Sequence, residues 1–153
     1  MRVWRARREE AADVARLIIG FRDHMERDEP GDASIAASVE RLMERGEAEY
    51  LLAAADDGEP VAGVAQLRYR WGIWWEAEDC WLEDLFVEAR ARGTGLGRAL
   101  VQATLDRARE RGCRRVELDV NTENPPALSL YRSLGFETGK DGGKDLLMRR
   151  RLP

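Results

Sequence analysis

The chain has 153 residues, of which 44% are hydrophobic and 35% charged, a composition that suits one folded domain with a single core. Its 25 Lys and Arg against 29 Asp and Glu give a formal net charge of -4, which argues against a nucleic-acid-binding domain because such domains are usually basic. No apolar run approaches the ~18–20 residues that a membrane span requires, and the amino terminus lacks an apolar signal core. We therefore predict a single cytoplasmic domain over residues 1–153.

The cysteine and histidine content excludes several kinds of site. Cys80 and Cys113 are far apart in sequence and form no C-x-x-C pair, so neither a disulfide framework nor a zinc ribbon is indicated. Together with His24, the only histidine, they supply at most three of the roughly four ligands that a structural zinc needs. No nucleophile-elbow sequence accompanies His24, so a catalytic triad is not indicated. We expect no metal.

The first half of the chain predicts one strand, two helices and three further strands. Val3–Arg7 alternates in the manner of an edge strand, and Glu9–Met25 has apolar residues at helical spacing. Asp32 or Ser34 can cap a second helix, which Gly46 ends. The three strands that follow are predicted at Tyr50–Ala55, Val61–Tyr69 and Trp81–Val87.

The second half predicts a strand–helix–strand unit. A helix from about Gly95 to Arg111 precedes a strand at Val116–Val120, an order that makes this strand parallel to the one before the helix. Pro125-Pro126 opens a short helix, and a final hairpin is predicted around Gly142-Gly143. The fold class is therefore α/β (α+β), with a single mixed, mostly antiparallel sheet flanked by helices.

A glycine-rich loop from Arg92 to Arg98 lies between a strand and an amphipathic helix. Its three glycines allow close backbone approach, and N–H groups at a helix N-terminus favour an anion such as a pyrophosphate. A Walker loop is excluded because no Gly-Lys-Ser/Thr follows. A dinucleotide fold fits poorly because its last glycine falls on Leu100, although Asp119 lies near the distance expected of a ribose-binding acid. The alternative interpretation of this segment is a flexible surface turn that binds no ligand.

Two motifs resemble those of the GNAT superfamily of N-acetyltransferases. Arg92-x-x-Gly95-x-Gly97 resembles the family's acetyl-CoA loop, Gln/Arg-x-x-Gly-x-Gly/Ala, and the segment 124–136 resembles its Asn-x-x-Ala-x-x-Leu-Tyr-x-x-x-Gly-Phe pattern. The sequence Leu-Glu-Asp-Leu-Phe-Val at 82–87 is similar to the diamine (spermidine/spermine-type) branch. The resemblance covers about residues 81–136. It implies the acyl-CoA N-acyltransferase fold, acetyl-CoA as cosubstrate and a homodimer.

The resemblance and the position of the loop together indicate the coenzyme contacts. Backbone groups of Leu85, Phe86 and Val87 would pair with the pantetheine arm as an added strand does. Asn124 would hydrogen-bond the arm from the other side. The pyrophosphate would be held by N–H groups within the loop, which comprises Arg92, Gly93, Thr94, Gly95, Leu96, Gly97 and Arg98.

Acyl transfer to an amine requires the neutral amine. A primary alkylamine with a pKa near ~10.4 is neutral in only about one molecule in 2,500 at pH 7, a handicap of roughly 4.6 kcal/mol. Glu83 is the candidate base, because the resembling branch has a carboxylate there. Asp84 points to the opposite face of a regular strand, but a bulge, which the resemblance implies, would reorient either residue. The alternative is that both are surface charges or ion-pair partners.

Tyr131 is the candidate general acid. The resemblance implies that its hydroxyl lies near the coenzyme sulfur and reprotonates the departing thiolate. A phenol with a pKa of ~10 can donate a proton to a thiolate whose conjugate acid has a pKa of ~8.5. The alternative is a core tyrosine whose hydroxyl finds a backbone partner.

The predicted acceptor side is acidic and aromatic. Residues 76–84 include five acids and no base, a pattern that favours a cationic acceptor. Trp75, Trp81 and Asp84 are candidate substrate-binding residues, since aromatic faces attract ammonium groups. A hydrophobic strand pair or a dimer contact is the alternative for the tryptophans.

The function predicted from these residues is acetyl transfer from acetyl-CoA to a primary amine by direct attack in a ternary complex. A small cationic amine is the favoured acceptor. One alternative is acetylation of a protein N-terminus or lysine, which predicts an open groove. Another is a non-catalytic acyl-CoA-binding regulatory module that uses the same loop.

Overall fold

The computed structural model describes residues 1–139 and 148–152. The chain forms two compact units, one of residues 1–119 and the other from residue 120 onward. The hairpin predicted around Gly142-Gly143 lies outside the described residues. None of the helices in the described part of the chain has the length and apolar character needed to cross a membrane.

The first unit is built on a five-stranded sheet whose strands lie side by side in chain order. Neighbours pair antiparallel except for the fourth and fifth strands, which are parallel, so the predicted mixed sheet and its strand–helix–strand unit are confirmed. The strands are β1 (Arg2–Arg5), β2 (Glu49–Ala54), β3 (Gly63–Gly72), β4 (Ala77–Val87) and β5 (Arg115–Glu117).

Helices cover both faces of this sheet. They are α1 (Ala11–His24), α2 (Asp32–Glu44) and α3 (Leu96–Glu110). On one face, α1 and α2 bury a core with side chains of β2, β3 and β4, among them Tyr50, Val64 and Phe86. On the other face, α3 packs so closely that a Cβ added to Gly63 would lie 3.0 Å from a methyl group of Leu100. Each helix buries one apolar stripe, as its 3.6-residue spacing predicts.

Most element boundaries shift by a few residues from the prediction, and three of the shifts have a cause in the contacts of the structure. The N-cap of α2 is Gly31 rather than Asp32 or Ser34, since Asp32 lies inside the helix and its carboxylate pairs with Arg22 at 2.8 Å. β3 and β4 extend further toward the turn that joins them, because their cross-strand pairing continues to Gly72 and Ala77. β5 is shorter than predicted, since only three of its residues pair with β4.

A β-bulge interrupts β4 at Glu83. Asp84 lies opposite Gln66 in the register and Leu82 lies opposite Leu67, so Glu83 has no partner on β3. A bulge adds one residue to a strand and re-aims its side chain. The bulge that the resemblance implied is therefore present at the residue proposed as the base.

Candidate active site

The far edge of β4 opens just beyond its pairing with β5. β4 pairs with β3 along its length except at Glu83, but it pairs with β5 only from Asp79 to Trp81. Within residues 1–139 and 148–152, no strand pairs with the edge of β4 from residue 82 to residue 87. Because backbone groups alternate in direction along an antiparallel strand and the Glu88 amide donates to the Ala62 carbonyl, those of Leu85 and Val87 face this edge, to which an extended ligand can add, whereas those of Phe86 face β3.

The glycine loop presents a series of free amide donors at the start of α3. Gly93 and Gly95 have φ values of 75° and 92°, a left-handed conformation that glycine adopts without steric cost. In the part of the chain that the structure describes, the amides of Gly93, Gly95, Leu96 and Gly97 donate to no backbone carbonyl. These donors and the positive end of the helix dipole form a site suited to a phosphate group.

Two side chains brace this loop against neighbouring backbone. The Arg92 Nε donates to the Val87 carbonyl at 3.0 Å, and the Thr94 Oγ1 donates to the Ala91 carbonyl at 2.7 Å. The guanidinium of Arg92 also lies 5.9 Å from the centre of the Phe86 ring. The loop is thus tied to the end of β4, which brings the free amides close to the open strand edge.

Glu83 lines a cavity on the sheet. Because side chains alternate along a strand, Arg68 and Arg70 of β3 lie on the same face as Val64, which packs against the α1 and α2 core. The cavity has a volume of about 310 Å³, near the lower end of the ~300–1,000 Å³ range of ligand pockets. Its lining consists of Arg68, Tyr69, Arg70, Asp79, Trp81, Glu83 and Glu117.

Asp84 is not among the residues that line the cavity, although it lies on the same face of the sheet; it is half-buried and belongs to a row of polar groups. Tyr50, Gln66 and Asp84 lie opposite one another on three adjacent strands, and the first two are buried. Burial, with a further contribution from the charge of Glu83, raises the pKa of Asp84 to about 6. Burial, and then the charge of Asp84, raises the pKa of Tyr50 to about 12.

The raised pKa of Asp84 predicts a pH-dependent penalty on stability. Since the folded-state pKa is above the unfolded value, the native state binds more protons between about pH 4 and 6, and the free energy of unfolding falls as the pH rises through this range. Asp84→Asn should remove this pH-dependent loss. Between pH 4 and pH 7, the free energy of unfolding of the variant should therefore rise by about 2 kcal/mol relative to that of the wild type. Urea unfolding at pH 4, 5, 6 and 7 measures the difference. Parallel pH curves for the two proteins would contradict the prediction.

Arginines pair with two of the five acids of residues 76–84. Arg111 pairs with Glu78 at 2.8 Å, and Asp79 is held by Arg114 at 3.4 Å and by Arg115 at 3.1 Å. Glu78 and Asp79 are therefore paired within the protein and add less negative charge to the predicted acceptor side than the sequence indicates. The reason is that α3 and β5 bring their arginines beside β4, which the local sequence does not reveal.

The tryptophans fall into two environments. Trp81 lines the cavity, whereas Trp75 lies outside its lining and its ring is covered by the guanidinium of Arg114 at 4.1 Å. Trp71, Trp74 and Trp75 are exposed, by 63%, 88% and 58%. Of the predicted aromatic residues, the structure brings only Trp81 together with Glu83.

The second unit contains the other two predicted residues. Its helix α4 (Pro125–Ser133) begins after Asn124, whose side-chain oxygen accepts a hydrogen bond from the Ala127 amide at 3.3 Å. Asn124 is thus a helix cap, and its side-chain amide nitrogen donates no hydrogen bond to the residues that the structure describes. Tyr131 is buried, packs edge-on against Phe136 at 5.7 Å, and has a pKa raised by that burial.

Several cavity residues were missed from the sequence. Arg68 lies inside the predicted strand Val61–Tyr69 and Arg70 lies one residue beyond it, and neither was predicted to belong to a site. Their spacing by two places both on one face of β3, and this signal was available in the sequence. Asp79 and Glu117 reach the same cavity only through the parallel pairing of β4 with β5.

Comparison with known proteins identifies the class to which this fold and site belong. The family model described as "Acetyltransferase (GNAT) family" matches residues 14–136. A crystal structure of a provisionally named acetyltransferase from Arthrobacter sp. FB24 has a TM-score of 0.85 and 28% identity, and the match covers 99% of this chain and 96% of that one. The chain belongs to the GNAT acetyltransferase family, and it is an acetyl-CoA-dependent N-acetyltransferase.

Curated relatives differ in the acceptors that their names state. A Bacillus subtilis (strain 168) protein, provisionally named a ribosomal protein bS18-alanine N-acetyltransferase, is 29% identical over 70% of this chain and 70% of its own length. An aminoglycoside N(6')-acetyltransferase type 1 of Stenotrophomonas maltophilia is 36% identical over 60% of this chain and 61% of its own length. Four further relatives match this chain over only 14% to 47% of their own length. The substrate and partners of the whole protein are therefore proposed below.

Proposed function

We propose that this protein transfers the acetyl group of acetyl-CoA to a primary amine of a small molecule, by direct attack in a ternary complex. The observation that carries the proposal is the bulge in β4. On one side of it lie the open strand edge and the free amides of the glycine loop, and at the bulge itself the exposed Glu83 lines a cavity. Donor and acceptor can therefore bind to the same strand.

On the donor side, the chain supplies main-chain groups in two places. The edge of β4 at Leu85 and Val87 suits the amide groups of the pantetheine arm, which can pair with it as a short strand. The amides of residues 93–97 suit the pyrophosphate, which the helix dipole also favours. Arg92 holds this loop against Val87, so both contacts are preorganised together.

On the acceptor side, Glu83 is the proposed general base. Its carboxylate lines the cavity beside Trp81, where it can accept the amine proton directly or through one water. An ordinary alkylamine is protonated at pH 7, and forming its neutral, nucleophilic state costs roughly 4.6 kcal/mol. A base that removes the proton during the attack lowers this cost. Asp84 lies next to it with a pKa of about 6 and adds negative charge to the same wall.

Direct attack is favoured because neither cysteine suits an acyl-enzyme intermediate. Cys80 is buried, and burial raises the pKa of its thiol to about 12. Burial also raises the pKa of Cys113. A thiol is nucleophilic as the thiolate, so neither residue is activated for acyl transfer. Tyr131, as a buried and protonated phenol, is the proposed acid that returns a proton to the coenzyme thiolate.

Acetylation of a protein N-terminus is the second candidate function. The name of the Bacillus subtilis relative, which matches 70% of this chain, specifies a ribosomal protein alanine as its acceptor. We favour the small molecule because the base lies in a cavity of about 310 Å³, near the lower end of the usual size range. A homodimer and a cytoplasmic location are further proposals, made on the family resemblance and the sequence.

A coenzyme-release assay over a panel of acceptors tests the proposal. The panel contains diamines, aminoglycosides, amino acids and a short peptide with an amino-terminal alanine, each with acetyl-CoA and a thiol-reactive dye. Saturable thiol release with a small amine supports the proposed function, and release only with the peptide supports the second candidate. Tight acetyl-CoA binding with no release from any acceptor would favour a regulatory module instead.

A further inference from the structure

Some of the charged side chains that line the cavity form ion pairs within the protein, and others do not. Arg70 pairs with Glu117 at 3.6 Å, and Arg115 pairs with Glu117 at 3.0 Å. Asp79 is likewise held by two arginines. Two charged groups of the lining remain, Arg68 and Glu83, and neither forms an ion pair with any residue in the described segments.

We infer that the acceptor carries a carboxylate as well as its primary amine, and that Arg68 binds this carboxylate while Glu83 faces the amine. The inference rests on the proposed function and narrows its substrate class to small zwitterions. Arg68 becomes a specificity-determining residue of the site.

The placement of the two charges on adjacent strands supports a bridging ligand. Arg68 lies opposite Trp81 in the β3–β4 register, and Glu83 follows two residues later at the bulge. Both line one cavity, yet they do not pair with each other. A molecule with an ammonium at one end and a carboxylate at the other can satisfy both groups at once.

Burial of Arg68 strengthens its need for an anion. Its side chain is only partly exposed, so its guanidinium has lost part of its hydration without gaining a carboxylate partner in the described structure. A guanidinium matches a carboxylate with two parallel hydrogen bonds, which are about twice as strong as neutral ones. The ligand's carboxylate would supply this partner.

Other amines fit this charge arrangement less well. A diamine would place its second ammonium against Arg68, and like charges repel in a partly buried site. A peptide amino terminus presents a neutral amide beside its amine, which leaves Arg68 without a counter-ion. The inferred preference is therefore amino acid over amino amide, and amino amide over diamine.

Matched acceptor pairs test the inference. The kcat/KM is measured for alanine and alaninamide, for 4-aminobutanoate and 4-aminobutanamide, and for 1,4-diaminobutane. For the wild type, we compare the two members of the pair with the higher rates. The kcat/KM of the amino acid should exceed that of its amide by at least about tenfold. Arg68→Gln should reduce this ratio to near one, whereas Arg68→Lys, which keeps the charge, should retain most of it. Thermal unfolding and circular dichroism check that both variants fold.

The outcomes separate this inference from the proposed function. Thiol release with amides or diamines but no preference for carboxylates, or a preference that Arg68→Gln leaves unchanged, overturns the inference and leaves the proposed function standing. Absence of release with every acceptor overturns the proposed function. Calorimetry with 4-aminobutanoate then decides the inference: binding that Arg68→Gln abolishes supports it, and no binding to the wild type overturns it.

Discussion

Tyr131→Phe should lower kcat by about 10²–10³-fold while leaving the Kd for acetyl-CoA within about twofold. The change removes only the hydroxyl, so the ring keeps its edge-on contact with Phe136. Burial raises the pKa of Tyr131, which keeps the phenol protonated and able to donate to the leaving thiolate. Steady-state kinetics at saturating acceptor and calorimetry with coenzyme measure the two quantities.

Tyr50→Phe is the matched control for this experiment. It also removes a hydroxyl from a buried tyrosine, in the core between the sheet and the helices α1 and α2. Its kcat should stay within about threefold of the wild type. An unchanged kcat in Tyr131→Phe would remove the acid role, and a parallel loss of coenzyme affinity would indicate a packing role instead.

Glu83→Gln should lower kcat/KM by about 10²-fold at pH 7, with the deficit shrinking as the pH rises toward the pKa of the acceptor amine. At neutral pH the amine is protonated and needs the base, whereas near pH 10 about half of it is already neutral. The variant keeps the size and polarity of the side chain at the bulge. Rates measured between pH 6 and 10 on the wild type and the variant give the comparison.

An acceptor with a lower pKa and the neighbouring carboxylate provide the controls. With a fluorinated amine that is largely neutral at pH 7, most of the difference between Glu83→Gln and the wild type should disappear. Asp84→Asn should retain kcat/KM within about tenfold of the wild type. If Asp84→Asn shows the large, pH-dependent loss and Glu83→Gln does not, the base is Asp84.

Much of the fold was predictable because its signals are local. The apolar stripes of α1, α2 and α3 repeat at 3.6 residues, and the order of a strand, a helix and a strand determines a parallel pair. The glycine loop was recognisable for the same reason: an anion-binding turn at a helix N-terminus is made by consecutive residues. The structure confirms the helices and strands with shifts of a few residues at most of their ends, and it shows the left-handed glycines of the loop before α3, whose binding of an anion stays a prediction.

The acceptor side was less predictable because its charges interact over long sequence separations. Glu78 and its partner Arg111 are 33 residues apart in the chain, and Asp79 lies 35 and 36 residues from its two arginines. A run of five acids reads as an acidic surface until the arginines of neighbouring elements are placed beside it. Arg68 is the opposite case. Its place in an ordinary strand gives no sign of a site, yet it lines the cavity and forms no ion pair with the described residues.

The sequence by itself therefore determined the family, the order of the elements and the position of the glycine loop proposed to bind a phosphate group, because contiguous residues encode each of these. Tertiary structure alone decided which edge of β4 stays open, which carboxylates line the cavity and which charges there form no ion pair within the described residues. Those properties depend on strand register, where a one-residue bulge turns a side chain to a new direction, and on packing between distant segments.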